Sequence, residues 1–183
     1  LIDAEKIIPL ASVMNQVELE SNFDNIITTF NNKFNETKKD IIPMLSLAKQ
    51  NGLIAKDFDY NTLSALDIAE NLYQKIMEKL MFISERISYD RFALIRVQQG
   101  IVPAHKKHEY KDAYIWRTCL DVKSKSKIGD HIFFFTTNTE DFDMKDSKAK
   151  EQLLRDCGKK ITIVTDIKAL IPQIKIKLGL PLP

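Results

Sequence analysis

Three oxygen-bearing side chains could do chemistry together: Asp112, Asn138 and Asp141. The last two lie in the run Asn138-Thr139-Glu140-Asp141-Phe142-Asp143, which follows the apolar stretch Ile132-Phe133-Phe134-Phe135 and its Thr136-Thr137 end. In open α/β sheets, ligands gather beyond the carboxyl ends of the strands. Carboxylate, amide and water oxygens are what hard cations such as Mg²⁺ or Mn²⁺ take as ligands. Clustered acids repel each other, which raises their proton affinity unless a cation intervenes. A cleft of this kind suits a metal-activated water attacking a phosphodiester. Phe142 would anchor the turn and aim Asp141 back at the strand end. Simpler readings stand beside these. Asn and Asp are common in turns after strands because their side chains mimic backbone turns. Asp112 begins a helix and is also a natural N-cap. The two roles can coexist.

Other chemistries find less support. His105 and His108 are three apart beside Lys106 and Lys107, but they lack convincing partners for a zinc site. They read as phosphate contacts or loop residues. There is no Gly-rich phosphate loop, no G-x-S-x-G elbow and no C-x-x-C pair. The two cysteines, Cys119 and Cys157, fall singly on two predicted helices and read as reduced thiols filling core space. Lys106, Lys107, Lys111, Arg117, Lys123, Lys125 and Lys127 crowd one stretch. That is either a phosphate-binding patch or a solvated surface.

The elements that must position these groups come from a chain of 183 residues, 44% hydrophobic and 28% charged. Those values exclude disorder and a fibrous repeat. No apolar run approaches the ~18 residues of a membrane span. Leu1 to Lys6 lacks the pattern of a signal peptide. A cytoplasmic home is expected. The first residue is not Met, so the chain is expected to be cut from something longer.

Ile7 to Leu10 reads as a short strand, held to an edge by Pro9. Phe23, Ile26, Ile27, Phe30 and Phe34 form a helical stripe, which Pro43 should close at the latest. Asn51-Gly52 signals a turn, and Thr62 or Ser64 should cap the next helix, with Ala65, Ile68, Ala69, Leu72, Ile76 and Leu80 marking its buried face. A further helix is expected over Tyr89 to Val97, ending at Gly100. The rhythm then turns α/β: a helix over Asp112–Val122, a strand over His131–Thr137 covered on both faces, a helix over Ser147–Cys157 capped by Asp146 or Ser147, and a strand at Ile161–Val164.

The order of these features resembles PIN-like nuclease domains. His108-Glu109-Tyr110-Lys111-Asp112-Ala113-Tyr114-Ile115-Trp116 is similar to the K-D-A-x-I-W helix of a bacterial branch. Thr136-Thr137-Asn138-Thr139-Glu140-Asp141-Phe142 is similar to its T-x-N-x-x-D-F turn, and Gly100 to Pro103 to its G-x-x-P approach. The likeness is clear over Gly100 to Phe142. It implies that Asp112, Asn138 and Asp141 hold one or two divalent cations, with Gln16 at the place of a further acid. It also implies that the first strand and its Asp lie upstream of Leu1, with Leu1–Lys6 the end of the first helix.

The resulting expectation is one domain over residues 1–183, a three-layer α/β/α PIN-like fold with a mostly parallel central sheet and a long helical insertion at about 23–98. The expected activity is Mg²⁺- or Mn²⁺-dependent hydrolysis of RNA. Lys106, Lys107 and Lys111 would draw in phosphates. The resemblance also implies a bacterial toxin or defence component, with an antitoxin or parent-protein domains as partners and no membrane. The competing expectation is a catalytically degenerate PIN-like module that binds nucleic acid or protein.

Overall fold

A computed structural model describes residues 7–53, 64–106, 108–142 and 147–181. The expected N-terminal helix end at Leu1–Lys6, the expected Thr62 and Asp146 caps, and Lys107, expected to draw in phosphates, lie outside the described residues. The chain divides into two compact units that meet between Phe82 and Ile83.

The first unit opens with β1 (Leu10–Ser12) and passes at once into α1 (Val13–Gln50). Ser12 makes the transition. Its hydroxyl accepts from Met14 N at 3.1 Å, and Asn15 Oδ1 accepts from Ser12 N at 3.1 Å. This reciprocal cap satisfies donors that a helix start leaves free. Pro43 does not end α1, contrary to expectation: the helix runs seven residues further and stops at Asn51. An interior proline removes one backbone bond. Here good helix formers follow it, including Leu45, Leu47, Ala48 and Lys49. Asn51 and Gly52 (φ +67°) then make the expected turn. Ser64 caps α2 (Ala65–Lys79) by accepting from Asp67 N. The two helices pack through Phe23 and Tyr73, with ring centres 4.7 Å apart. A short strand the sequence did not announce, β2 (Met81–Ile83), pairs with β1.

The second unit holds α3 (Ile87–Gln99), α4 (Tyr110–Lys125), β3 (Ile132–Phe135), α5 (Ser147–Cys157), β4 (Ile161–Val164) and α6 (Ile167–Lys177). Gly100 ends α3 at φ +59°, a conformation that needs no side chain. β3 and β4 run parallel, with Phe133 opposite Thr162 and Phe134 opposite Ile163. The core gathers Val102, Trp116, Cys119, Phe142, Ala149, Leu153, Cys157 and Ile161. Trp116 is its centre, edge-on to Phe134 at 5.1 Å and to Phe142 at 5.7 Å. Its indole N–H donates to Asp156 at 2.9 Å, and Arg96 donates to the same carboxylate at 2.7 Å. Burial pushes the Cys119 thiol up to about 12 and the Cys157 thiol up to about 11, so both are inert core fillers at neutral pH.

The expected three-layer α/β/α fold with a mostly parallel central sheet is overturned. About 65% of the described residues are helical and 9% are in strands. The strands form two separate pairs rather than one central sheet. The apolar run at Ile132–Phe135 misled the reading. It is only partly buried, and Phe135 is exposed, so helices do not cover both its faces. Among the described residues no helix is long and apolar enough to cross a membrane.

Replacing Trp116 tests this account of the core. Trp116→Ala is expected to destabilise the second unit by about 3–5 kcal/mol in urea unfolding, the cost of a large-to-small change at a closed site. A loss under about 1 kcal/mol would show that the rings do not carry the packing.

Candidate functional site

The site forms where the start of α4 meets the loop after β3, wholly within the second unit. Helix α4 begins two residues before Asp112, so Glu109 is the N-cap and Asp112 stands in the first turn. There the helix dipole favours a carboxylate. The expected capping role for Asp112 is therefore not the one seen. Its Oδ2 instead accepts from Asn138 Nδ2 at 2.8 Å.

Asn138 follows β3 and folds its own loop. Its backbone N–H donates to Thr136 Oγ1 at 3.1 Å. Its side-chain oxygen accepts from the backbone N–H groups of Glu140 and Asp141, both at 3.1 Å. That is the local turn chemistry an Asn supplies. Because Oδ1 is committed to two donors, Nδ2 must face the other way. It reaches Asp112 and also Asp141 Oδ2, at 3.2 Å. Asn138 thus presents a donor, not an oxygen, to the two carboxylates. It stands between them in the place a cation would take, and among the described residues no three His, Cys, Asp or Glu side chains are drawn around one point.

Asp141 is fully buried. The neighbouring Phe142 locks it in place by packing on Trp116 and Phe134. The other carboxylate oxygen, Oδ1, has a long contact to Lys106 N at 3.4 Å and faces His105 Nδ1 at 3.6 Å. His105 and Lys106 belong to the loop after α3. Arg96, donating to Val102 O, and Gln152, accepting from Val102 N at 3.3 Å, hold that loop down.

Burial pushes Asp112 up to about 6, with Glu109 and Asp141 adding repulsion against the pull of the Asn138 N–H and Lys111. Asp141 is buried and Asp112 half-buried, and each accepts from the Asn138 N–H groups. Two oxygens from Asp112 and two from Asp141 are chemically suited to Mg²⁺ or Mn²⁺.

The structure brings together Asp112, Asn138 and Asp141 from positions far apart in the chain. Lys106 and Lys111 are exposed beside them. Gln16 belongs to the first unit, on α1, where its amide donates to Glu20 at 2.9 Å. Two residues of the expected basic patch serve the fold instead: Lys123 donates to Asp156 O, and Lys125 pairs with Asp121. The residue the sequence did not assign to the site is His105. Its signal was its place directly after the apolar Val102-Pro103-Ala104 segment, which is buried.

No family model, curated protein or solved structure matches the chain.

The environment of Asp112 sets a pH dependence. Its ordinary value is 3.8 and its folded value about 6, so folding favours the protonated form. This contribution is present below about pH 4 and is lost as pH rises to about 6. Asp112→Asn is expected to flatten that part of the stability profile and to raise the melting temperature at pH 7 without added cation. A carboxyl NMR titration of Asp112 with its midpoint below about 4.5 would contradict the described surroundings.

Proposed function

We propose that the second unit is a divalent-metal-dependent nuclease, acting on RNA, with Asp112 and Asp141 as the carboxylates that hold the cation. One observation carries the reading. Two acids distant in sequence meet at the Asn138 carboxamide, one of them fully buried and the other half-buried. Burying unpaired carboxylates is costly without a compensating positive charge. The fit with a hard cation rests on that donor set. A bound Mg²⁺ or Mn²⁺ supplies Lewis-acid stabilisation of charge on a phosphate oxygen.

The chain's own residues do the rest. Asn138 fixes the separation of the two carboxylates through its N–H groups. Phe142 holds Asp141 in place and excludes water from behind it. Lys106 and Lys111 stand on the open side and attract the phosphate backbone. The likeness of Gly100–Phe142 to PIN-like nucleases supports the chemistry; the three-layer architecture of that family is no part of the proposal. A bacterial toxin or defence role, an antitoxin or parent-protein partner, and a cytoplasmic location belong to the same reading.

A second reading has an observation of its own. The Asn138 N–H groups already satisfy one oxygen of each carboxylate. On that account the notch is a structural clasp, and the domain is a non-catalytic module that binds nucleic acid or protein.

Cleavage assays on the full chain distinguish the two. With Mn²⁺ or Mg²⁺ present, single-stranded and structured RNA should be cut, chelator should stop the reaction, and Asp112→Asn and Asp141→Asn should each lower the rate by about 100-fold or more. RNA binding without cutting under any cation supports the clasp. Undiminished cutting in both variants removes these residues from the mechanism.

A further inference from the structure

Helix α1 keeps an apolar stripe that its partner α2 is too short to cover. It runs 38 residues against 15 in α2, about 57 Å against about 22 Å at the rise of a helix. None of the α1 side chains is fully buried. Ile26, Phe30, Ile41 and Met44 are between 37% and 70% exposed. Ile26 and Met44 stand about five turns apart and Phe30 and Ile41 about three, so the four share one face. Lys33 interrupts that face near its middle, about two turns after Ile26, and Glu36 and Asp40 border it one and two turns further on. A helix draws most of its stability from packing such a stripe against something.

We propose that this face of α1 pairs with the same face of a second copy of the chain, the two helices lying antiparallel about a two-fold axis near Asn35. Charge selects both the occupant and the direction. In that register Ile26 of one copy meets Met44 of the other, and Lys33 enters the hole flanked by Glu36 and Asp40 of the other copy. The two-fold repeats each contact, so both lysines meet carboxylates across the seam. Parallel pairing would instead set Lys33 against Lys33, a like-charge contact at the centre of the stripe. A wholly apolar partner would bury Lys33 without a counter-charge. The pairing lies within the first unit and is independent of any chemistry at Asp112 and Asp141.

Sedimentation velocity of the full chain at micromolar concentration should show a dimer. Lys33→Glu, and separately Glu36→Lys combined with Asp40→Lys, should each weaken it by more than about tenfold, because like charges then meet across the axis. Circular dichroism checks that both variants keep their helix content. Mixing the two variants should restore a dimer holding one chain of each, since opposite charges face one another again. Contacts within a single helix cannot produce that rescue, because they stay mismatched in both chains. The wild type supplies a readout that needs no variant to fold. A carbodiimide, which joins amines to carboxylates, should link Lys33 of one copy to Glu36 or Asp40 of the other in a mixture of light and isotope-labelled chains. A monomeric wild type overturns the proposal. So does a dimer without that cross-link, a dimer that either folded variant leaves intact, or a mixture of folded variants that fails to associate.

Discussion

The orientation of one carboxamide organises the second unit's candidate site. Asn138 Oδ1 is fixed by two backbone N–H groups, and a backbone N–H can only donate. Turning the amide over would set its NH₂ against those two donors and its oxygen against two carboxylates. Every contact would become repulsive. The N–H face must therefore point at Asp112 and Asp141. This single constraint joins the first turn of α4 to the loop after β3. It also fixes how far apart the acids stand.

The constraint holds because the backbone around it does not yield. Phe142 follows Asp141 and lies in a ring cluster with Trp116 and Phe134. Trp116 is in turn tied to α5 through Asp156, which also takes Arg96 from α3. The same Arg96 reaches the carbonyl of Val102 in the loop that carries His105. One buried aromatic thus connects, through named contacts, the three segments that line the notch. Rigid support of this sort is what keeps functional groups at fixed spacing.

Much of the local structure was legible in the sequence, and the reasons are local. Gly100 and Gly158 sit at positive φ at the ends of α3 and α5, where their lack of a side chain marked those ends. Ile161–Val164 and Ser147–Cys157 took the bounds their patterns gave. Long-range pairing is a different matter. Four apolar residues in a row at Ile132–Phe135 suggest a strand inside a central sheet, yet β3 pairs with β4 alone. Periodicity cannot report how many neighbours a strand has, since pairing is a long-range choice. Pro43 by itself predicts a helix end, but a strong run on its far side outweighs the missing bond. Asp112 was read as a cap because the boundary was set two residues late. Its meeting with Asp141 was an expectation from motif order. Which way Asn138 would face was not legible at all, because the backbone N–H groups that orient it exist only once the loop has folded.

A clasp and a cation would make opposite demands on the same two acids. Asn138 satisfies one oxygen of each with a neutral donor, which is adequate for a proton-sharing or half-solvated carboxylate. The other oxygen of Asp141, Oδ1, accepts from Lys106 N over a long contact of 3.4 Å and faces His105 Nδ1 at 3.6 Å. Replacing both members of a buried polar pair with apolar groups is close to neutral, whereas replacing one leaves the other unsatisfied, so a clasp ties its members together. Raised proton affinity at Asp112 weighs against the cation, because a proton and a metal ion compete for the same oxygen lone pairs.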